Sequence, residues 1–346
     1  MSVSAIIALP RFILTSLLLG LLCLVPLGGA LADERPSFVA GDPPYLERET
    51  VQQFIDEMVA EGFSRSELEA LFRVVDPQQR ILDLISAPAE ARPWYSYHPI
   101  FLTERRIREG ERFWDEHDAL LERAEREFGV DAAIIVAIIG VETFYGRNQG
   151  GFRVLDALVT LGFDYPPRAR FFRSELGHFL RLAREEDLDL RNTKGSYAGA
   201  MGRGQFISSS YREYAVDFSG DGRRDLLSSW ADAIGSVANY FRRHGWEQGA
   251  PVVARAQVQG ETYRELLGGG YQARFSQEDL ARHGVTPAED VPEDGLFSLI
   301  ELETENGFEV WLGYPNFYVI TRYNRSPLYA KAVYLLAEEV SRTRAN

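Results

Sequence analysis

The sequence predicts a mainly α protein, α+β overall, with a small β subdomain inserted late in the chain. Three observations carry that expectation. From about Thr103 to Trp246 the pattern is mainly helical, and it contains the apolar run Ala132-Ala-Ile-Ile-Val-Ala-Ile-Ile-Gly-Val-Glu142-Thr-Phe-Tyr-Gly146. From about Pro251 to Leu312 the texture changes: Phe297-Ser-Leu-Ile-Glu-Leu-Glu and Phe308-Glu-Val-Trp-Leu alternate with period two, and Asn306-Gly307 between them is a strong hairpin signal. Ser326-Pro327 then opens a last helix, with Ser as N-cap and Pro at the first helical position.

Taken in order, residues 1–32 read as a signal peptide. Ile6 to Leu27 is strongly apolar, and Ala30-Leu31-Ala32 has the small-x-small form of a cleavage site. Arg11 sits unusually deep for such a signal, so an uncleaved anchor stays open as an alternative. The only cysteine, Cys23, follows Leu21-Leu22 rather than a small residue, which disfavours lipid attachment. The mature chain would then hold no cysteine, excluding disulfides, thiolate catalysis and cysteine metal sites. Residues 33–102 form an N-terminal helical region. Within it, Ser64 and Glu67 fit a capping box, and Phe63 can staple to Leu68. Prolines 88 and 93 punctuate before Trp94-Tyr-Ser-Tyr97-His-Pro99. Residues 103–250 form a mainly helical core, 251–312 the β subdomain and 313–346 a C-terminal segment and helix.

The chain of 346 residues carries a formal net charge of −14, and loss of residues 1–32 removes one Arg and no acid. Such a surface repels phosphate backbones, so no nucleic-acid partner is expected. No Lys/Arg cluster offers a grip on anionic lipid.

Glu142 is the only charge in its run, which Asp131 can cap and Gly146 can end. A helix apolar all round is buried, and this one is too short for a membrane span of about 20 residues. Desolvation and the negative end of the helix dipole both favour the protonated carboxyl there. A carboxyl protonated near neutral pH is what a general acid for glycosidic cleavage requires. The same pattern also fits a structural Glu hydrogen-bonded to nearby backbone. Asp156, Asp164 and Glu175 lie near in sequence and read as caps or surface charges.

Gly195-Ser196-Tyr197-Ala-Gly-Ala-Met201-Gly-Arg-Gly-Gln205-Phe206 is dense in small residues, which let a backbone approach another surface closely. It lacks the Gly-Lys-Ser/Thr ending of a phosphate loop. It fits either a tight turn packed on a helix or a cleft wall where Ser196 and Gln205 meet a sugar amide or hydroxyl.

These words, with Ala169-Arg-Phe-Phe-Arg-Ser-Glu-Leu176, Asp232-Ala-Ile-Gly-Ser-Val-Ala-Asn-Tyr-Phe241 and Asn316-Phe-Tyr-Val-Ile-Thr-Arg-Tyr-Asn324-Arg-Ser326, occur in order over nearly all of the mature chain. The chain resembles the lytic murein transglycosylase B family, glycoside hydrolase family 103. The resemblance implies a goose-lysozyme-like helical catalytic core with an additional helical domain and a small β subdomain. It implies cleavage of the bond between N-acetylmuramic acid and N-acetylglucosamine in peptidoglycan glycan strands, leaving a 1,6-anhydromuramic end. Glu142 would act as the single acid and then base. Ser196 and Gln205 would contact substrate, and Tyr240, Asn324 and Tyr97 would line the cleft. A hydrolysing muramidase and a catalytically silent peptidoglycan-binding scaffold are the alternatives. The implied setting is the periplasm, as a monomer, with cell-wall synthesis or remodelling proteins as further candidate partners.

No cofactor is expected for catalysis, but a structural Ca2+ is. Asp217-Phe-Ser219-Gly-Asp221-Gly222-Arg223 follows the opening of a calcium loop: oxygen ligands at alternate residues, a Gly for the sharp turn, then a backbone carbonyl from Arg223. Ser228 stands where a twelfth-position Glu is usual, and by the resemblance Asp232 is the closing ligand of a longer loop. The alternative is an Asp/Gly-rich turn closed by hydrogen bonds alone.

Overall fold

The structure is a computed structural model that describes residues 44–86 and 92–344. The signal segment 1–32, Cys23 and Pro88 lie outside the described residues.

Fourteen helices and six strands follow one another among the described residues. Helices α1 (Glu49–Ala60), α2 (Arg65–Arg73) and α3 (Gln79–Ser86) come first. Ser64 caps α2 by accepting from the Glu67 amide at 3.4 Å. A short α4 (Trp94–Tyr97) leads to α5 (Glu104–Glu116), capped by Thr103, then α6 (Asp118–Phe128) and α7 (Ala132–Thr143). Strand β1 (Phe152–Arg153), α8 (Val154–Asp164), α9 (Ala169–Glu186), β2 (Lys194–Gly195), α10 (Ser208–Tyr214) and α11 (Trp230–Arg243) complete the helical core. Strand β3 (Val253–Val258), α12 (Gln277–Arg282), β4 (Val285–Pro287), β5 (Ser298–Thr304) and β6 (Gly307–Gly313) build the sheet region. The chain closes with α13 (Pro315–Tyr323) and α14 (Pro327–Arg344).

Helix α7 is the axis of the molecule. Ten of its residues are buried, from Ala132 to Thr143, because it is apolar on every face. It packs on α5, α6, α11 and α14. Helices α8 and α9 pack on each other, with α3 against α8 and α10 against α9. Asp156, Asp164 and Glu175 are not surface charges. Asp156 is paired with Arg153 and accepts the Asp76 amide, Asp164 binds Arg48 and Tyr45, and Glu175 accepts the Ser209 amide at 2.9 Å. Each carboxylate ties two parts of the helical body together, which is how buried acids are tolerated.

The sheet runs β4-β3-β6-β5, antiparallel throughout. Its period-two pattern puts alternate residues on opposite faces. Leu299, Val310 and Leu312 join a separate small core with Tyr263, Leu280 and Phe297, while Ile300 and Leu302 join the main core. The hairpin differs from its sequence expectation by one residue. Thr304 pairs with Gly307, so Glu305 and Asn306 make the two-residue turn and Gly307, at φ 132°, opens the returning strand. Glycine takes the backbone conformation that leaves the turn, so the Asn-Gly pair straddles the turn and the strand.

Candidate active site

Glu142 sits in the last turn of α7, and the chain leaves the helix in an unusual way. The helix ends at Thr143, not at Gly146, and Phe144 (φ 51°), Tyr145 (φ 56°) and Gly146 (φ 77°) are left-handed in succession. A left-handed non-glycine residue costs about 1–2 kcal/mol, so tertiary contacts must hold two of them here. The Tyr145 ring stacks on Phe113 at 5.5 Å and lies over two glycines. A Cβ at Gly140 or Gly110 would fall 2.6 or 2.4 Å from the Tyr145 hydroxyl oxygen. Thr143 Oγ1 donates to the Arg203 carbonyl at 2.9 Å and accepts from the Gly146 amide at 2.9 Å, locking the turn onto the glycine-rich segment. At the other end of α7, Asp131 occupies the N-cap position without capping. Its carboxylate accepts from Trp246 Nε1 at 2.8 Å and from the Gly249 amide.

The glycine-rich segment forms the facing wall. Strands β1 and β2 pair Phe152 with Gly195, and bridges Gly195–Met201 and Met201–Phe206 fold the chain back on itself. A Cβ at Gly195 would meet the Ala200 carbonyl oxygen at 2.2 Å, and one at Gly202 the Leu226 carbonyl oxygen at 2.5 Å, so both close approaches require glycine. Ser196 Oγ accepts from the Ala198 and Ala200 amides at 3.2 and 3.0 Å. Gln205 is also left-handed, at φ 51°. Its Nε2 donates to the carbonyls of Gln149 and Gly202 at 3.0 and 2.7 Å, and its buried Oε1 has no partner among the described residues.

One pocket collects these groups. Glu142, Ser196, Gln205, Tyr240 and Tyr323 line it, and Glu142 is its only acidic lining residue among the described residues. Tyr240 donates to the Arg322 carbonyl and stacks on His244 at 4.1 Å, with Nδ1 of His244 2.7 Å from the Tyr240 carbonyl. Enclosure in the pocket wall pushes the Glu142 pKa up to about 8, against a weaker lowering by Tyr329. The Tyr329 hydroxyl donates to Glu142 Oε1 at 2.6 Å. Burial also keeps the Tyr323 and Tyr329 hydroxyls protonated, with the nearby Glu142 adding to it.

Two residues expected to line the cleft do not do so. Tyr97 has no exposed surface and packs its ring on Trp94 and Phe101, because α4 packs against β5 and turns Trp94 and Tyr97 into the main core. Asn324 is 2% exposed and its Oδ1 accepts from the Ser326 amide at 3.0 Å, so it shapes the turn between α13 and α14. Its neighbours Tyr323 and Arg325 reach the pocket instead. Tyr329 was not singled out from the sequence. Nothing in the pattern of the last helix marks its hydroxyl as reaching α7.

The Asp/Gly loop precedes α11 and is closed by Asp232 in that helix's first turn. Asp217, Asp221 and Asp232 can bring one oxygen each within 4.8 Å of one another. Asp217 Oδ1 accepts from Ser219 Oγ and the Gly220 and Asp221 amides, and Oδ2 from the Gly222 amide. Asp232 is fully buried. Its Oδ1 accepts the Phe218 and Ser219 amides at 2.8 and 2.7 Å, and its Oδ2 the Asp225 amide at 3.0 Å. Ser228 is bonded to Asp225 and the Arg223 side chain pairs with Asp187. A converging all-oxygen set with two exposed carboxylates fits a hard cation such as calcium. The amide bonds to Asp217 and Asp232 pre-shape the same loop.

The family model for the transglycosylase SLT domain matches residues 47–338. Membrane-bound lytic murein transglycosylase B of Escherichia coli K12 is 42% identical over 330 residues, 92% of this chain and 90% of that protein. The X-ray structure of lytic transglycosylase SltB1 from Pseudomonas aeruginosa superposes with a TM-score of 0.81 at 50% identity, covering 87% of this chain and 99% of that one. The structure of the Escherichia coli lytic transglycosylase Slt35 in complex with calcium gives a TM-score of 0.79 at 43% identity, covering 87% and 96%. With a family model spanning most of its length and relatives this similar, the chain belongs to the transglycosylase SLT domain family.

Proposed function

We propose that Glu142 cleaves the β-1,4 bond between N-acetylmuramic acid and N-acetylglucosamine, acting first as acid and then as base, with a 1,6-anhydromuramic end as product. The chain is a lytic transglycosylase acting on peptidoglycan. The observation that carries the single-residue mechanism is that Glu142, raised to a pKa of about 8, is the only carboxyl lining the pocket among the described residues. Hydrolytic glycosidases place a second carboxylate across the bond as base or nucleophile. A reaction whose nucleophile is the substrate's own C6 hydroxyl needs neither that group nor a positioned water, and gains from proximity.

The position of Glu142 and Tyr329 supports a two-step reaction. Tyr329 donates to Oε1, which leaves Oε2 of Glu142 to carry the proton. That proton passes to the leaving oxygen of N-acetylglucosamine as the bond to C1 of muramic acid breaks. The substrate's N-acetyl oxygen stabilises C1. The Glu142 carboxylate then takes the C6 hydroxyl proton while that oxygen bonds C1, so Glu142 ends protonated as it began. Ser196 has its oxygen held by two amides, and its hydroxyl proton is available to a sugar amide or hydroxyl. Gln205 Oε1 supplies an acceptor, which a sugar N–H or O–H would satisfy.

Calcium in the 217–232 loop would be structural. Asp217, Ser219, Asp221, Asp232 and the Arg223 carbonyl would hold it, away from the lining of the Glu142 pocket. Residues 103–250 act as the catalytic core, with the β subdomain at 251–312 and residues 313–346 completing the cleft. The enzyme works as a monomer in the periplasm, and residues 1–32 direct its export.

The test is Glu142→Gln, which keeps shape and hydrogen bonding but carries no transferable acid proton. Loss of general acid–base catalysis alone predicts a fall of about 10²–10⁴-fold in turnover, with glycan binding retained. Turnover near that of the unmodified enzyme would remove the role given to Glu142.

A further inference from the structure

Thr143 follows Glu142 in the chain, yet it is buried and does not line the pocket. A threonine in a helix commonly bonds back to the carbonyl four residues earlier. Thr143 has Ile139 in that place, at 3.1 Å, but its shorter bond, 2.9 Å, goes to the Arg203 carbonyl in the facing wall. Its hydroxyl oxygen also accepts the Gly146 amide at 2.9 Å, and its carbonyl accepts the Asn148 amide at 3.0 Å. The turn held this way is strained. Phe144 and Tyr145 are left-handed, where an ordinary helix end at Gly146 would spare both. Release of Thr143 opens that less strained path, a helix continued through Phe144 and Tyr145, and it would move the last turn that carries Glu142.

Arg203 is itself held from further away. Its amide donates to the Leu226 carbonyl at 2.9 Å, and a Cβ on Gly202 would lie 2.5 Å from that same oxygen. The Leu226 amide donates to the hydroxyl of Tyr211, on α10, at 2.8 Å, and that hydroxyl donates to the Arg224 carbonyl at 2.6 Å. The peptide group between Arg224 and Asp225 is gripped on its other side by Asp232, which accepts the Asp225 amide at 3.0 Å. An aromatic contact runs beside this chain of bonds. Trp230, the first residue of α11, has the Arg203 guanidinium carbon 4.0 Å from its ring centroid, and its ring would lie 2.7 Å from a Cβ on Gly146. Tyr211 is fully buried and, like Thr143, is no part of the pocket lining.

We infer that Thr143 is a positioning residue for Glu142, held through Arg203 and Leu226 by Tyr211, so that the loop closed by Asp232 fixes where the general acid stands. This rests on Glu142 transferring the proton and adds what holds it in place. Tyr329 holds the carboxyl, and Thr143 holds the backbone that carries it.

The test is a set of variants assayed on soluble glycan strands, well below the melting temperature of each. Thr143→Val keeps the size of the side chain and removes its hydroxyl. It should lower kcat by about tenfold or more with KM unchanged, since a misplacement of about 1 Å can cost about 10²-fold. Thr143→Ser restores the hydroxyl and should recover most of the rate. Tyr211→Phe frees Leu226 from a distance and should lower kcat by a smaller factor, again with KM unchanged. Combined with Thr143→Val it should add nothing further, because both act through one path. Thr143→Val with the kcat of the unmodified enzyme overturns the inference, and so does a Thr143→Ser no faster than Thr143→Val. A Tyr211→Phe effect of full size in the Thr143→Val background overturns the holding through Leu226. Should Thr143→Val not fold, Tyr211→Phe decides alone: loss of kcat at unchanged KM supports the chain of bonds, and an unmodified kcat overturns it. Glu142→Gln is the control. Normal turnover there would strike the role of Glu142, whereas failure of the positioning shows as an active Thr143→Val beside an inactive Glu142→Gln.

Discussion

Tyr329 on the last helix donates a hydrogen bond of 2.6 Å to Glu142 on the central helix, across 187 residues of chain. Among the described residues, Tyr329 is the side chain that sets the electrostatics of Glu142 against burial. Desolvation raises the carboxyl and the Tyr329 hydroxyl, by favouring the carboxylate, lowers it.

Removing that hydroxyl should move the pH profile in a defined direction. In Tyr329→Phe the lowering contribution is gone, so the Glu142 pKa rises above about 8. The alkaline limb of kcat/KM, where the general acid is lost, should shift upward, while kcat should fall by about tenfold or more because the carboxyl is no longer oriented. The check is a pH–rate series on both proteins. A limb that stays in place or moves down would contradict the assignment of Tyr329.

Glu142 should also leave a mark on stability. Its folded pKa of about 8 lies above the unfolded value of 4.5, so between these limits the folded state binds more protons than the unfolded one. Its contribution is therefore fully present below about pH 4.5 and is lost as the pH rises to about 8. Glu142→Gln has no proton to lose, so its melting temperature relative to the unmodified protein should climb steadily across that window. A difference that is flat with pH would mean that Glu142 is not buried in its neutral form.

The calcium loop predicts ligand-linked stability. An ion that binds only the folded state stabilises by RT ln(1 + [L]/Kd), so the melting temperature should rise with calcium in the millimolar range. Asp221→Ala, which removes an exposed carboxylate of the cluster, should abolish the rise. Chelated and calcium-loaded protein melting at the same temperature would mean that the hydrogen bonds of Asp217 and Asp232 close the loop alone.

Much of this architecture was legible because local rules decided it. An apolar run holding one carboxyl could only be a buried helix, and Glu142 does occupy the last turn of α7. Ser326 and Pro327 open α14 as their types require. What sequence could not show is set by distant partners. Phe144 and Tyr145 replace Gly146 as the left-handed helix end because Gly110 and Gly140 leave room for the Tyr145 ring, a fit made by two helices. Asp131 is drawn from capping to Trp246, and Asn324 from the cleft to Ser326. Tyr97 is sealed in by the docking of the sheet, and Tyr329 is brought to Glu142 by the packing of α14 on α7. Family membership was readable from words spread along the chain, whereas the roles of single residues depend on these long-range contacts.

The central claim is that a single carboxyl works with a nucleophile inside the substrate. Digestion of purified peptidoglycan in water enriched in heavy oxygen tests it directly, by mass spectrometry of the released muropeptides. The account predicts products lighter by one water than those of a hydrolase, with no heavy oxygen at C1, since the C6 oxygen closes the ring. Reducing muramic ends bearing heavy oxygen, without anhydro products, would contradict it and assign the pocket to a hydrolase.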